Sequence, residues 1–196
     1  MDHRDAPEGK ALKYARVERE RRFLLARAPG GTCVRRAAIT DLYVTGTRLR
    51  LRQAVETTAA GTTTSRKFTQ KIPAPDGGPG LITTAYVNEG EYAVLSALPG
   101  LRLTKTRYSV PPFGVDVFTG ELAGLAVAEV EFEDADEQEQ FRAPSDVTAE
   151  VTHDTRLSGG RLARTNRAEL ASLLAEFGLE PFDASELASR ELAGPR

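Results

Sequence analysis

Cys33 is the only cysteine in the sequence. Without a second thiol there is no intramolecular disulfide framework and no thiolate metal cluster. Histidine is almost as scarce. His3 and His153 are the only two, too few for a His-rich zinc site. No apolar run approaches the ~18 residues that a membrane-spanning helix needs, so no membrane partner is expected. The opening stretch, MDHRDAPEGK, is polar and does not read as a signal peptide. A cytoplasmic location is the expectation. No G-x-x-x-x-G-K-[ST] loop occurs, so any phosphate would be held by side chains, not by a backbone cradle. Charge of one sign is not in excess either. The 26 Lys and Arg against 28 Asp and Glu leave a net charge of -2, which does not favour general nucleic-acid binding. No internal repeat is visible.

What remains is enough for one large domain, or one domain with an appendage: 196 residues, 40% of them hydrophobic. From Tyr14 to about Gly160 the dominant period is two. Strands are expected near 15–25, 38–44, 47–55, 64–72, 102–110, 113–118 and 124–133. Loops are expected at RAPGG, TTAAGTTT and PAPDGGPG. A helix is expected from Asn88 to Leu98, with Asn88 as N-cap, Glu89 and Glu91 at its positive start, and Pro99-Gly100 as its stop. DADEQEQF adds a short helical turn. After Gly160 the period becomes helical, through Leu170, Leu173, Leu174 and Phe177. Asn166 and Glu169 there have the spacing of a capping box, and Gly178 is placed to end the helix. DASELASRELAG reads as a last short helix. The expected organisation is a mobile tail over 1–13, a strand-built domain over 14–163, and a helical segment over 164–196 packed on it.

The charges follow the strand period. Residues i and i+2 share a face. Glu18, Glu20 and Arg22 therefore align, as do Arg48, Arg50 and Arg52. Lys67 shares a face with Lys71, and Lys105 with Arg107. Glu129, Glu131 and Glu133 share one face, while Ala128, Val130 and Phe132 take the other. Asp116 stands between Val115 and Val117, which point oppositely. Each strand alone reads as an ordinary amphipathic strand with its charges in water. Together they also fit a curled antiparallel sheet with a charged concave face, because like charges side by side need an opposing strand or ligand. Convergent guanidiniums suit phosphate oxygens. Convergent carboxylates suit hard divalent cations such as Mg²⁺ or Mn²⁺.

These motifs, in this order, resemble the CYTH domain proteins, also called triphosphate tunnel metalloenzymes. The family signature E-x-E-x-K is matched by Glu18, Glu20 and Arg22, with Arg22 replacing the lysine. RLRLR, FTQK, LTKTRY, VDVF and AEVEFE follow as the later motifs, and the resemblance covers about 14–163. The resemblance implies an α+β fold dominated by an antiparallel β-barrel, a tunnel of about eight strands with flanking and C-terminal helices. It also implies Mg²⁺ or Mn²⁺ and a triphosphate-containing small molecule. Inorganic tripolyphosphate is the substrate expected first. Thiamine triphosphatase-like or class IV adenylate cyclase-like activity, and non-catalytic polyphosphate or nucleotide binding, are the alternatives. Carried over by residue, Glu18, Glu20, Asp116, Glu129 and Glu131 resemble metal-side carboxylates. Asp116 is alternatively a water-orienting residue, and Glu18, Glu20, Arg22 and Asp116 form the catalytic set. Arg48, Arg50, Arg52, Lys71, Lys105, Arg107 and Arg156 resemble phosphate contacts, with Lys67 nearer solvent. His153 lies in the C-terminal segment that often caps the family's tunnel. Oligomeric state stays open, with a homodimer as one alternative. The strand after the lysine strand, LITTAYV, lacks a glutamate that family members often carry.

Overall fold

The computed structural model describes residues 13–27, 32–74, 78–144 and 147–182. The expected N-terminal tail, apart from Lys13, and the expected final helix at 183–194 lie outside the described residues. The strands are β1 (Arg16–Val17), β2 (Glu20–Leu24), β3 (Arg35–Val44), β4 (Leu49–Thr58), β5 (Gly61–Ile72), β6 (Leu81–Tyr86), β7 (Gly100–Val110), β8 (Phe113–Phe118), β9 (Ala126–Glu131) and β10 (Ala149–Glu150). The helices are α1 (Glu89–Leu95), α2 (Ala135–Gln140), α3 (Gly159–Leu162) and α4 (Arg167–Ala175). All ten strands form one antiparallel sheet in the order β1-β6-β5-β4-β3-β7-β8-β9-β2-β10.

This corrects the expected closed barrel of about eight strands, because β1 and β10 end the ladder without pairing to each other. The two ends are nevertheless close in the chain. β1 pairs with β6 at one edge, and β2 pairs with β9 near the other. Only Glu18 and Arg19 lie between them. The handover takes one dipeptide. The Glu18 amide donates to Gly80 O at 2.9 Å, while Arg19 O accepts from the Phe132 amide at 3.0 Å. Three residue steps span at most about 10 Å, so the sheet must curl until its edges approach that closely. The single strand expected over 15–25 is thus two strands serving opposite edges.

Two further differences have local causes. TTAAGTTT is mostly ladder, with Thr58 paired to Gly61 around a two-residue turn. Threonine favours a pleated surface, and the turn needs only Ala59 and Ala60. The strand β6 shows no clear alternation in sequence, yet its β-branched run pairs with β5 from Lys67–Tyr86 to Ile72–Leu81. The helix signals were legible. Asn88 with Glu91 and Asn166 with Glu169 both form capping boxes, and Gly178 takes a φ of 68° beyond α4.

The register sorts side chains onto two faces. Directly paired residues point the same way. Asp41, Arg52, Lys67 and Tyr86 therefore share one face, as do Asp116, Arg107, Glu129 and Arg22. This is the inner face of the curl. Its near end is apolar. Leu24, Leu103, Phe118 and Val127 pack there with Leu157 and Leu162, and with Leu170, Leu173 and Leu174 of α4. The helical segment thereby plugs one end of the inner face. The outer face carries a second core, with Phe23, Tyr108, Val115, Ala128 and Val130. Phe113 and Phe141 meet Phe23 with ring centroids 6.0 and 6.2 Å away. With both faces of β2, β8 and β9 packed, the charged residues between are held in fixed positions. No helix among the described residues is long and apolar enough to cross a membrane.

Candidate functional site

Two aspartates organise the inner face. Asp116 of β8 and Asp41 of β3 are both 0% exposed. Each sits directly across from cation-bearing strands. Asp41 accepts from Arg52 Nε and Nη2 at 2.7 Å each, and Arg50 Nε lies 3.8 Å away. Asp116 accepts from Arg107 Nε and Nη2, also at 2.7 Å each, and from Lys105 Nζ. Burial alone would raise both carboxyls. The cations overcome it and hold both below the ordinary carboxylate range: Arg52, Arg50 and Lys105 for Asp41, and Lys105 with Arg107 for Asp116. These forked contacts fix the planes of Arg52 and Arg107 as well as their positions.

The four cations so held, Arg50, Arg52, Lys105 and Arg107, form one basic wall. Arg50 keeps a buried Nε without a hydrogen-bond partner, and Tyr43 lies directly across from it on β3. A buried, unsatisfied donor of this kind is costly unless an acceptor reaches it. Tyr43 is itself wedged against the helical segment. A Cβ on Gly159 would fall 1.8 Å from Tyr43 Oη, which explains why glycine opens α3.

The acidic side is built from β2 and β9. Glu20 lies directly across from Glu131, and Arg22 from Glu129. Glu18 accepts from Lys71 Nζ at 2.6 Å, and Glu129 accepts from Arg107 Nη2. Glu20 is the acid in deficit. Desolvation first, then Glu129 and Glu18, raise its carboxyl, and Lys71 and Arg22 offset only part of that. Glu131 is exposed. A divalent cation fits the chemistry of this donor set, which is all oxygen and carries a destabilised carboxylate. Among the described residues no three acids already stand as a ready cage. Lys71 and Arg107 would have to release Glu18 and Glu129 for one to form.

The remaining expected residues are placed as follows. Arg22 turns toward the C-terminal segment. Its Nη1 donates to Leu157 O at 3.0 Å and its Nη2 to Thr152 O at 2.7 Å. It also stands 3.5 Å from Glu20. Replacing it with lysine leaves a carbonyl without its charged donor. Arg22→Lys is expected to lose about 1.5–3 kcal/mol of stability, read as a lower Tm. An unchanged Tm would show that the guanidinium does not tether the segment. Arg48 is exposed, one residue before β4. Arg156 is exposed and held by Asp154 and Glu176, so its charge is already matched. His153 is exposed. Lys67 lies beside Tyr86, 5.2 Å from the ring centroid. Sequence reasoning missed Asp41, Tyr43 and the Thr69–Thr84 hydroxyl contact of 3.2 Å. A lone acid within the apolar run of ITDLYV was the available signal for Asp41.

A crystal structure of the protein NE1496 matches this chain with a TM-score of 0.50 and 28% identity, covering 76% of this chain and 99% of that one. A second crystal structure calls NE1496 an inorganic triphosphatase; it matches at 27% identity and a TM-score of 0.49, covering 76% and 95%. The chain shares the fold of the CYTH, or triphosphate tunnel, family. PH1819 from Pyrococcus horikoshii OT3 matches at 17% identity and a TM-score of 0.43, covering 86% and 96%. No protein-family model and no curated protein sequence matches the chain.

Proposed function

We propose that the chain is a divalent-metal-dependent triphosphatase with inorganic tripolyphosphate as its first substrate, acting inside the curl of the sheet. The observation that carries the reading is the basic wall. Two fully buried aspartates hold four cations, and Arg50 keeps a buried donor unsatisfied. The name given to NE1496 supports the same reading.

Arg50, Arg52, Lys105 and Arg107 bind the phosphate oxygens, with Lys71 beside them. Asp41 and Asp116 orient these cations and take no part in binding metal. Preorganised guanidiniums stabilise charge spread over the equatorial oxygens during in-line attack by water. Glu18, Glu20, Glu129 and Glu131 would hold the cation, which would supply charge neutralisation at the phosphate and activation of the attacking water. The apolar plug from α3 and α4 keeps bulk water from one end of the site. The expected result is phosphate release from tripolyphosphate with Mg²⁺ or Mn²⁺, lost in chelator.

A second reading has its own support. Glu18 and Glu129 are already paired to Lys71 and Arg107. A non-catalytic polyphosphate binder would keep those pairs. Tight metal-independent binding without phosphate release would favour it and sink the hydrolase.

A further inference from the structure

We infer that the outer face of the sheet carries a second binding site, a pit at Ala38 that takes a small amphipathic acid: one anionic head on a short apolar body. The register builds it. Thr57, Arg36 and Tyr108 form one cross-strand row over β4, β3 and β7. Val55, Ala38 and Thr106 form the neighbouring row on the same face. The parity that turns Asp41 inward turns all of these outward. Ala38 is the smallest of them and stands mid-row, so the surface dips there. Together they line a cavity of about 360 Å³, at the small end of the range for ligand pockets.

The chemistry of the lining selects the ligand. Arg36 is half-buried, and its side chain makes no hydrogen bond or ion pair among the described residues. The other bases on outer positions of β3, β4, β5 and β7 are already engaged. Arg66 Nε donates to Gln53 at 3.0 Å, and Arg102 Nη2 donates to Ser96 O at 3.4 Å. Those four strands carry no acid at any outward position, although the whole chain has a net charge of -2. A cation would meet only repulsion at the pit, while an anion meets an uncommitted guanidinium whose fork suits a carboxylate. The hydroxyls of Thr57 and Thr106 supply hydrogen bonds on either side of β3. Ala38, Val55 and the ring of Tyr108 make the rest of the lining apolar, surface that a bare inorganic anion would leave unused. Tyr108 is 7% exposed and belongs to the outer core, so that wall is held in place.

A chemical-shift titration of the full chain with hexanoate, hexanamide and inorganic phosphate tests the pit. Hexanoate is expected to move the amide signals of Arg36, Ala38, Thr57 and Thr106 with a Kd on the order of 1 mM, a value within reach of about eight non-hydrogen atoms. Hexanamide keeps the body and loses the charge; phosphate keeps the charge and loses the body. Each should bind at least about tenfold more weakly than hexanoate, and Arg36→Gln should weaken hexanoate by about tenfold. Ala38→Leu should fill the pit and abolish the shifts without lowering Tm. Both residues lie on the face opposite the basic wall, so phosphate release from tripolyphosphate should be unchanged in both variants. Hexanamide binding as well as hexanoate, shifts centred on Arg52 and Arg107, no saturable shift, or undiminished binding in Ala38→Leu would each overturn the inference and leave the triphosphatase reading standing.

Discussion

Asp116→Asn is expected to destabilise the protein by about 3–5 kcal/mol, the cost of leaving buried charge without its partner. For a chain of this size that is a fall in Tm of roughly 6–20 °C. The reason lies in what the carboxylate serves. Asp116 is 0% exposed and Lys105 only 7%. Lys105 and the fork of Arg107 meet on its two oxygens. Asparagine has nearly the same shape but one acceptor oxygen and no charge, and its amide would face donors. The pH dependence separates this cause from a packing defect. A carboxyl held below its unfolded value contributes stability that is fully present above the unfolded pKa. That stability disappears as pH falls through the folded value, here below about pH 4. The Tm gap between wild type and variant should therefore be widest near neutrality and close in strong acid. A gap that stays constant with pH would mean that charge is not its origin. Phosphate release should fall too, because Arg107 and Lys105 lose the anchor that aims them.

Asp116 also shows how far the sequence could be read. Its strand, its alternation with Val115 and Val117, and its place among charged strands were all legible. Its partners were not. The same parity rule that grouped Glu129 with Glu131 cannot say which strand lies beside which. Only the β7–β8 pairing, Arg107 to Asp116, shows that Asp116 anchors two cations. The same limit hid Asp41, whose meaning comes from Arg52 directly across β4. It also hid the break between β1 and β2, because a continuous alternating run carries no mark of a change of partner. Arg22 reads as a signature residue in sequence, while its hydrogen bonds to Thr152 and Leu157 are contacts 130 and 135 residues away. The helix caps, being local, were read correctly at Asn88 and Asn166.

Glu20→Gln should separate the function of the acidic side from its stability. In the metal-free protein, burial, Glu129 and Glu18 raise the Glu20 carboxyl. A raised carboxyl means that its charged form is penalised by folding. Lowering the pH from 7 toward the raised value should therefore stabilise the wild type in chelator, and glutamine should flatten that rise. At pH 7 the variant is expected to match or exceed the wild-type Tm, by up to about 1 kcal/mol, the scale of opposed like charges on a sheet. Activity should move the other way. Phosphate release should drop by at least the roughly 10–100-fold that follows loss of a supporting partner at a metal site. The readout independent of turnover is ligand-induced stabilisation. Mn²⁺ should raise the wild-type Tm and do so far less in Glu20→Gln. On the proposed reading, Glu18 and Glu129 would exchange Lys71 and Arg107 for the cation, which would free two bases to face phosphate. The Tm shift with Mn²⁺ and tripolyphosphate together should then exceed the sum of the separate shifts. A Glu20→Gln protein several kcal/mol less stable than the wild type would instead make Glu20 a structural partner of Arg22, 3.5 Å away.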